Sequence, residues 1–204
     1  GKSALALSKL SRNQIIAIDN DPKALKIANK LKGQNFRNLR FILGDAQNLG
    51  ELISDKASLI YSLQALHHFD DLDRVCDGLN STIHPDGIVL IQDFDRGFSH
   101  LVYESRGFGI SSGKIESFRK AREAGPEAFR EYLSRKGDLA GKDFWINTAL
   151  SVFAAYTPEE VMLKLKERNF KAGWRTPENK MSYCLVAARP EFWHRTSLHR
   201  YFPV

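Results

Sequence analysis

Polar side chains follow four apolar segments in the first half of the chain, at the points where each segment ends. In chain order they are Asp19 in DNDP, Asp45 in GDAQ, Gln64 in QALHHFDD and Gln92 in QDFD. A carboxylate such as Asp19 can accept both hydroxyls of a ribose, and Asp45 could accept from an exocyclic amine. A single acid in a loop often serves turn chemistry alone, but four polar groups at successive segment ends predict a ligand-binding edge.

The adjacent histidines His67 and His68 are a second candidate for chemistry. With an ordinary pKa of about 6.5, an imidazole can take a proton from a hydroxyl or an amine near neutral pH. The alternative is that the pair packs beneath a pocket or caps the helix that follows it. The sequence leaves both interpretations open.

The elements that position these residues alternate between strand and helix through residue 95. Apolar, β-branched runs predict buried strands at 14–18, 39–43, 57–63 and 87–92, the last after a turn at 85–87. Amphipathic stretches predict helices at 3–10, 22–32 and 72–83. Strands that are apolar throughout are covered on both faces, which predicts an α/β fold with a doubly wound, mostly parallel sheet.

The second half of the chain departs from this pattern. We expect an α/β core at 1–95, a helical and aromatic insertion at 96–156, a closing helix with two strands at 157–190, and a tail at 191–204. The closing helix starts at Thr157, which has Glu160 three residues later as in a capping box, and the two strands are predicted at 171–175 and 182–188.

Composition narrows the class of protein. The chain has 204 residues, 43% of them hydrophobic and 26% charged, which is typical of a globular domain and excludes a disordered or collagen-like chain. No apolar run is long enough to cross a membrane, and two cysteines are too few for a disulfide framework. We therefore expect a cytoplasmic protein without a metal or a membrane partner.

Six segments resemble class I methyltransferases that use S-adenosylmethionine (SAM). They are AIDNDPKALKIA (17–28), FILGDAQNL (41–49), LIYSLQALHHFDD (59–71), LNSTIHPDGIVLIQDF (79–94), and YTPEEVMLKLKERNFKAGW with YCLVAARP in the closing part. The resemblance covers residues 1–95 and about 156–190 and misses the region between them. It implies a Rossmann-like fold, SAM as cofactor, and S-adenosylhomocysteine (SAH) as product.

The resemblance also assigns roles to residues of this sequence. It implies that Asp19 binds the ribose hydroxyls of SAM with Asn20 beside the adenine, and that Asp45 and Ala46 hold the adenine amine and edge. Gln64 would face the methionine portion or the substrate. Because methyl transfer from a sulfonium depends mainly on positioning, a base is optional and no catalytic residue is assigned.

Gly1 resembles the last glycine of the family's glycine-rich loop. The first strand of the family pattern, its closing acid and the earlier glycines have no counterpart here, so we expect that further residues precede Gly1 in the natural protein. Gly1-Lys2-Ser3 also resembles the end of a phosphate-binding loop, which would need an acid such as Asp93 to hold magnesium. That alternative leaves Asp19 and the GDAQ and LHHFDD segments unexplained.

The insertion is the expected place for the methyl acceptor. His67, Tyr103, Arg106 and Trp145 are the candidate substrate contacts, and a small molecule beneath an aromatic lid is the favoured acceptor. RNA is the alternative, because residues 96–204 hold 19 basic residues against 12 acidic ones, whereas residues 1–95 hold 11 against 12. A non-catalytic domain with the same fold is a further alternative. The sequence does not indicate an oligomeric state.

Overall fold

The computed structural model describes residues 1–33, 36–98, 116–117, 120–121, 123–125, 128, 131–132, 151, 154–177 and 182–202. The chain divides into two compact units, Gly1–Ser54 and Asp55–Val204. Element labels below number the described helices and strands in chain order. Among the described residues, none of the helices has both the length and the apolar character to span a membrane.

The first unit is built around two parallel strands. Its elements are α1 (Lys2–Leu10), β1 (Ile15–Asp19), α2 (Pro22–Lys32), β2 (Leu39–Leu43), a 3₁₀ turn (Ala46–Asn48) and α3 (Leu49–Leu52). The helix α2 forms where the sequence predicts it, because Asp21 caps it through the Lys23 N–H and Pro22 occupies its first position. The strands pair in parallel with Asp19 opposite Leu43, so their carboxyl ends lie side by side.

The second unit contains a four-stranded sheet in the order β3-β4-β6-β5. Its elements are β3 (Ala57–Leu63), a 3₁₀ turn (Leu66–His68), α4 (Leu72–Thr82), β4 (Ile83–Phe94), a 3₁₀ turn (Arg96–Phe98), α5 (Pro158–Glu167), β5 (Lys171–Arg175), β6 (Ser182–Ala188), α6 (Pro190–Arg195) and α7 (Leu198–Tyr201). The pair β3–β4 is parallel, whereas β6 runs antiparallel to both β4 and β5. The α/β class and the two predicted closing strands are confirmed.

The start of β4 differs from the prediction of a separate turn at 85–87. The strand already begins at Ile83, and its pairing with β3 shifts from Ala57 opposite Ile83 to Leu59 opposite Ile88. The Pro-Asp-Gly sequence therefore forms a bulge within the strand instead of a turn before it. Gly87 is required there, since a Cβ would lie 2.9 Å from the carbonyl oxygens of Ala57 and His84.

Two features close the second unit. Thr157 and Glu160 form the predicted capping box at the start of α5, with each side chain bonded to the backbone of the other residue. The tail, for which the sequence predicts no elements, forms α6 and α7. Their Trp193 and Phe202 join Val186 and Ala188 of β6 in a buried cluster.

Candidate functional site

The end of β1 presents the Asp19 carboxylate. One of its oxygens, Oδ1, accepts the Asp21 N–H at 2.9 Å, while the Asp19 carbonyl accepts the Gly44 N–H at 3.0 Å. The first hydrogen bond orients the carboxylate, and the second joins the Asp19 backbone to the end of β2. No donor among the described residues of this unit reaches Oδ2, which leaves an acceptor for a hydroxyl group. The next side chain, Asn20, is exposed.

The end of β2 carries the second predicted acid. The Asp45 carboxylate caps the following 3₁₀ turn by accepting the Gln47 N–H at 3.0 Å, and the Gln47 side-chain amide donates to its Oδ2 at 3.2 Å. Ala46 is half-buried at the start of that turn. A Cβ on Gly44 would lie 2.8 Å from the Leu52 side chain, so glycine lets α3 approach the strand end.

Gly1 stands at the start of α1 as its N-terminal cap. A Cβ at this position would lie 2.7 Å from the Cβ of Ala28 on α2. Glycine at this position thus allows the start of α1 to pack closely against α2. The first unit therefore brings Asp19, Asp45 and Gly44 to one pair of strand ends.

In the second unit, Gln64 follows β3 in the left-handed region, with φ of 50°. Its N–H donates to the Gln92 carbonyl of β4 at 2.7 Å, and its side chain is exposed. A left-handed conformation is costly for a residue with a Cβ and occurs often at functional sites. This backbone turns the chain sharply at the carboxyl end of the strand.

The two histidines after Gln64 differ sharply in their surroundings. The His67 side chain is 4% exposed, and its Nδ1 lies 2.7 Å from Oδ1 of Asp93, whose side chain is 1% exposed. The same carboxylate accepts the Leu66 N–H at 2.6 Å and the Phe94 N–H at 2.7 Å. A carboxylate can only accept, so Nδ1 of His67 carries the hydrogen.

His68 is exposed, and its ring centroid lies 4.0 Å from that of His67. Partial burial lowers its pKa from the ordinary 6.5, and repulsion from His67 lowers it further, whereas the Asp93 carboxylate acts in the opposite direction. The His68 imidazole is therefore neutral at pH 7.

A second acid, Asp95, follows β4 and is also buried. Burial raises the pKa of its carboxyl group, against the effect of the Gly97 N–H that donates to Oδ1 at 2.8 Å. The intervening Arg96 forms an ion pair with Glu160 of α5. The end of β4 is thus anchored to α5.

The structure brings some predicted residues together and leaves others undescribed. The buried position of His67 favours the packing alternative over contact with a substrate. Tyr103, Arg106 and Trp145 lie outside the described residues. Sequence reasoning missed the His67–Asp93 pair, because Asp93 entered it only as a possible magnesium ligand. In the part of the chain that the structure describes, no group of acids, histidines and cysteines is arranged to hold a metal.

Solved structures with a similar fold include SAM-dependent methyltransferases. The chain resembles a protein from Pyrococcus horikoshii (TM-score 0.62, 16% identity, 93% of this chain and 77% of that one). It also resembles the plantazolicin methyltransferase BamL, solved with a desmethylPZN analog and SAH (TM-score 0.58, 14% identity, 92% and 73%). A third structure is a SAM-dependent methyltransferase from Aquifex aeolicus (TM-score 0.51, 16% identity, 90% and 73%).

A search of curated protein sequences gives no match. A family model described as a methyltransferase domain matches residues 1–137, well over half of the chain. This match leaves the phosphate-binding-loop alternative without support, and the burial of Asp93 against His67 removes its magnesium ligand. The chain belongs to the methyltransferase domain family and has the Rossmann-like α/β fold that its sequence predicts.

Proposed function

We propose that this methyltransferase moves the methyl group of SAM to a small-molecule acceptor and releases SAH. The observation that carries the proposal is the family match over residues 1–137, together with two acids at neighbouring strand ends of the first unit. Both acids lie at the carboxyl ends of parallel strands, the edge at which open α/β sheets bind their ligands, and this position supports the proposal.

The residues present fit the nucleoside part of SAM. The carboxylate of Asp19 is held by one hydrogen bond and keeps Oδ2 for the ribose hydroxyls. The carboxylate of Asp45 already accepts from Gln47, and with about four lone-pair sites it can accept the adenine amine as well. Asn20 and Ala46 would flank the adenine. The roles of Gly1 and Gln64 stay predictions.

Methyl transfer from SAM depends mainly on how the acceptor and the methyl group are positioned. SAM, when bound by Asp19 and Asp45, would supply a methyl group on a positively charged sulfonium that an acceptor atom can displace. Holding both reactants in this geometry supplies most of the rate enhancement of such a displacement. A methyl acceptor that is already a free amine or a thiolate needs no further help.

The small-molecule acceptor rests on the predicted organisation of the chain. We propose an α/β core at 1–95, an insertion at 96–156 that covers the acceptor, closing elements at 157–190 and a tail at 191–204. The plantazolicin methyltransferase BamL, which has a similar fold, was solved with a triazolic desmethylPZN analog and SAH. A cytoplasmic location stays a prediction.

RNA is the second candidate acceptor, favoured by the 19 basic residues against 12 acidic ones in 96–204. Counterion release makes RNA affinity fall steeply with salt, whereas the affinity of a neutral small molecule changes little. The third alternative is a non-catalytic domain, which would form no SAH whether or not it binds SAM.

The test is the release of SAH from SAM in the presence of a panel of phenols, amines and thiols, and separately of RNA. We expect turnover with members of the small-molecule panel and loss of turnover in Asp19→Ala. The matched control is Asp55→Ala, which changes an exposed acid before the amino end of β3 and not at a carboxyl end of a strand. Turnover with RNA alone, abolished by raising the salt concentration, would replace the small molecule by RNA.

A further inference from the structure

The first unit carries an excess of positive charge that a count over residues 1–95 conceals. Residues 1–54 hold nine basic residues against four acidic ones, whereas residues 55–95 hold two against eight. Three of the four acids, Asp19, Asp21 and Asp45, lie at or just after the carboxyl ends of β1 and β2, beside the proposed cofactor site. Residues 1–18 and 22–44 contain all nine basic residues and no acid. The charges of this unit are therefore segregated.

Five of the nine cations gather at the opposite end of the two strands, which we call the amino edge. They belong to the ends of α1 and α2 and to the residues just before β1 and β2: Lys9, Arg12, Lys30, Lys32 and Arg37. All of them are exposed except Lys32, which is half-buried. Since β1 has five residues with a rise of about 3.3 Å each, the amino edge lies about 13 Å from the Asp19 end of this strand.

The backbone of the amino edge is held together by Asn38. Its side-chain amide donates to the Ser11 carbonyl at 2.7 Å, and its own carbonyl accepts the Ile15 N–H at 2.7 Å. These two hydrogen bonds join the segment before β2 to the segment before β1. The backbone positions of Arg12 and Arg37 are thus fixed relative to each other, as a binding surface requires.

The cations of the first unit differ from those of the second in having no carboxylate beside them. In the second unit, Lys164, Arg168 and Arg195 each form an ion pair with an acid. Among the described residues, none of the ion pairs involves a basic side chain of the first unit. Clustered cations without a counter-charge attract a partner that carries several negative charges.

The positions of the remaining cations favour a flexible partner over a flat one. Lys23 and Lys26 are exposed on α2, which packs against the strands, and Arg40 is exposed on β2 itself. A flat lipid surface could contact only one of these parts of the unit together with the amino edge, whereas a single polynucleotide strand can bend around them. DNA is mostly a duplex with a persistence length of about 150 base pairs, while RNA offers flexible single strands.

We propose that the amino edge of the first unit binds the phosphates of single-stranded RNA, with Arg12 and Arg37 as its central contacts. A guanidinium can donate two parallel hydrogen bonds to one phosphate, so arginine recognises this group more specifically than lysine does. The proposal goes beyond the proposed function, because the amino edge and the proposed cofactor acids lie at opposite ends of the same strands. RNA is held at the amino edge whichever molecule accepts the methyl group.

The test is the fluorescence anisotropy of a labelled uridine oligomer of about 12 nucleotides, titrated with the full chain at several salt concentrations. With five phosphate contacts, log affinity should fall against log salt concentration with a slope of about −3.5. Arg12→Gln combined with Arg37→Gln removes two contacts, so the slope should become about −2 and the affinity at about 0.1 M salt should drop about 25-fold. Each single substitution should change the slope by about 0.7.

Two control variants have matched changes. Lys166→Gln combined with Lys171→Gln lowers the net charge equally through two exposed lysines of the second unit, and it should leave the slope and the affinity unchanged. Leu10→Gln combined with Leu31→Gln changes two exposed apolar side chains at the ends of α1 and α2, which a bilayer would bury and a phosphate backbone would not. This variant should bind the oligomer as wild type does.

The proposal is overturned if the folded wild type does not bind the oligomer at micromolar concentration, or if the arginine variant keeps the wild-type slope and affinity. An equal loss of affinity in the lysine control would make the attraction an effect of net charge and overturn it as well. Binding to phosphatidylserine vesicles in place of RNA, weakened in the leucine variant, would assign the amino edge to a lipid surface instead. Circular dichroism reports whether each variant is folded.

Discussion

Arg168 joins α4 to α5, and its removal should destabilise the second unit substantially. Its Nε lies 2.6 Å from the Asp77 carboxylate, and its NH2 lies 3.0 Å from that of Asp73. The guanidinium also donates to the carbonyls of Lys164 and Asp73 at 3.0 and 3.1 Å. The Arg168 side chain is only 13% exposed, whereas both carboxylates that it contacts are exposed to solvent.

The expected magnitude follows from these partners. Both carboxylates are exposed, so each ion pair contributes about 0.2–1 kcal/mol. Each carbonyl that loses its donor costs about 1 kcal/mol. Arg168→Met keeps most of the aliphatic stem, so the free energy of unfolding should fall by about 2–4 kcal/mol, the sum of two ion pairs and two carbonyl contacts.

The assay is urea denaturation followed by tryptophan fluorescence, because Trp174 and Trp193 lie in the second unit. The matched control is Arg195→Met, whose ion pair with Asp86 joins two exposed side chains and should cost less than about 0.5 kcal/mol. If the two variants lost equal stability, the argument from burial and backbone contacts would be refuted.

Three further predictions concern packing and titration. Gly87→Ala should lower the free energy of unfolding by about 1–3 kcal/mol, because the new Cβ meets two carbonyl oxygens at 2.9 Å; an unchanged urea midpoint would contradict this. Trp193→Ala should lower the free energy of unfolding, followed by circular dichroism, by about 3–5 kcal/mol because it removes a buried side chain. The control Tyr201→Ala removes an exposed side chain and should lower it by less than about 0.5 kcal/mol. Burial raises the pKa of Cys76 from 9.0 to about 12, so above pH 9 the unfolded chain releases a proton that the folded chain keeps. Between pH 9 and about pH 12 the free energy of unfolding should then fall by up to about 1.4 kcal/mol per pH unit. If a Cys76→Ala variant lost stability with pH as steeply as wild type, this prediction would be wrong.

The strands that are easiest to predict are those with local signals. Residues Leu39–Leu43 and Ala57–Leu63 are strands with the predicted bounds. Short, largely apolar runs of this kind favour buried strands in a folded domain. The start of β4 is different. Pro85-Asp86-Gly87 has the composition of a turn, and pairing with β3 across the bulge overrides that local preference.

The candidate site also has a part that the sequence predicts and a part that it does not. The positions of Asp19 and Asp45 at neighbouring strand ends follow from the alternation of strands and helices, so the sequence predicts them. The pairing of His67 with Asp93 joins residues 26 apart on different elements, and no periodicity encodes it. The different environments of His67 and His68 follow from that contact, and only coordinates reveal it.

The central claim is that the first unit binds SAM through Asp19. Calorimetric titration with SAM and SAH tests it most directly, on this chain and on the chain with any residues that its gene encodes before Gly1. Micromolar binding by the wild type and by Asp55→Ala, with binding lost in Asp19→Ala, is the predicted result. Folded wild-type protein that binds neither compound in either form, or an Asp19→Ala variant that binds both as tightly as wild type, would contradict the account.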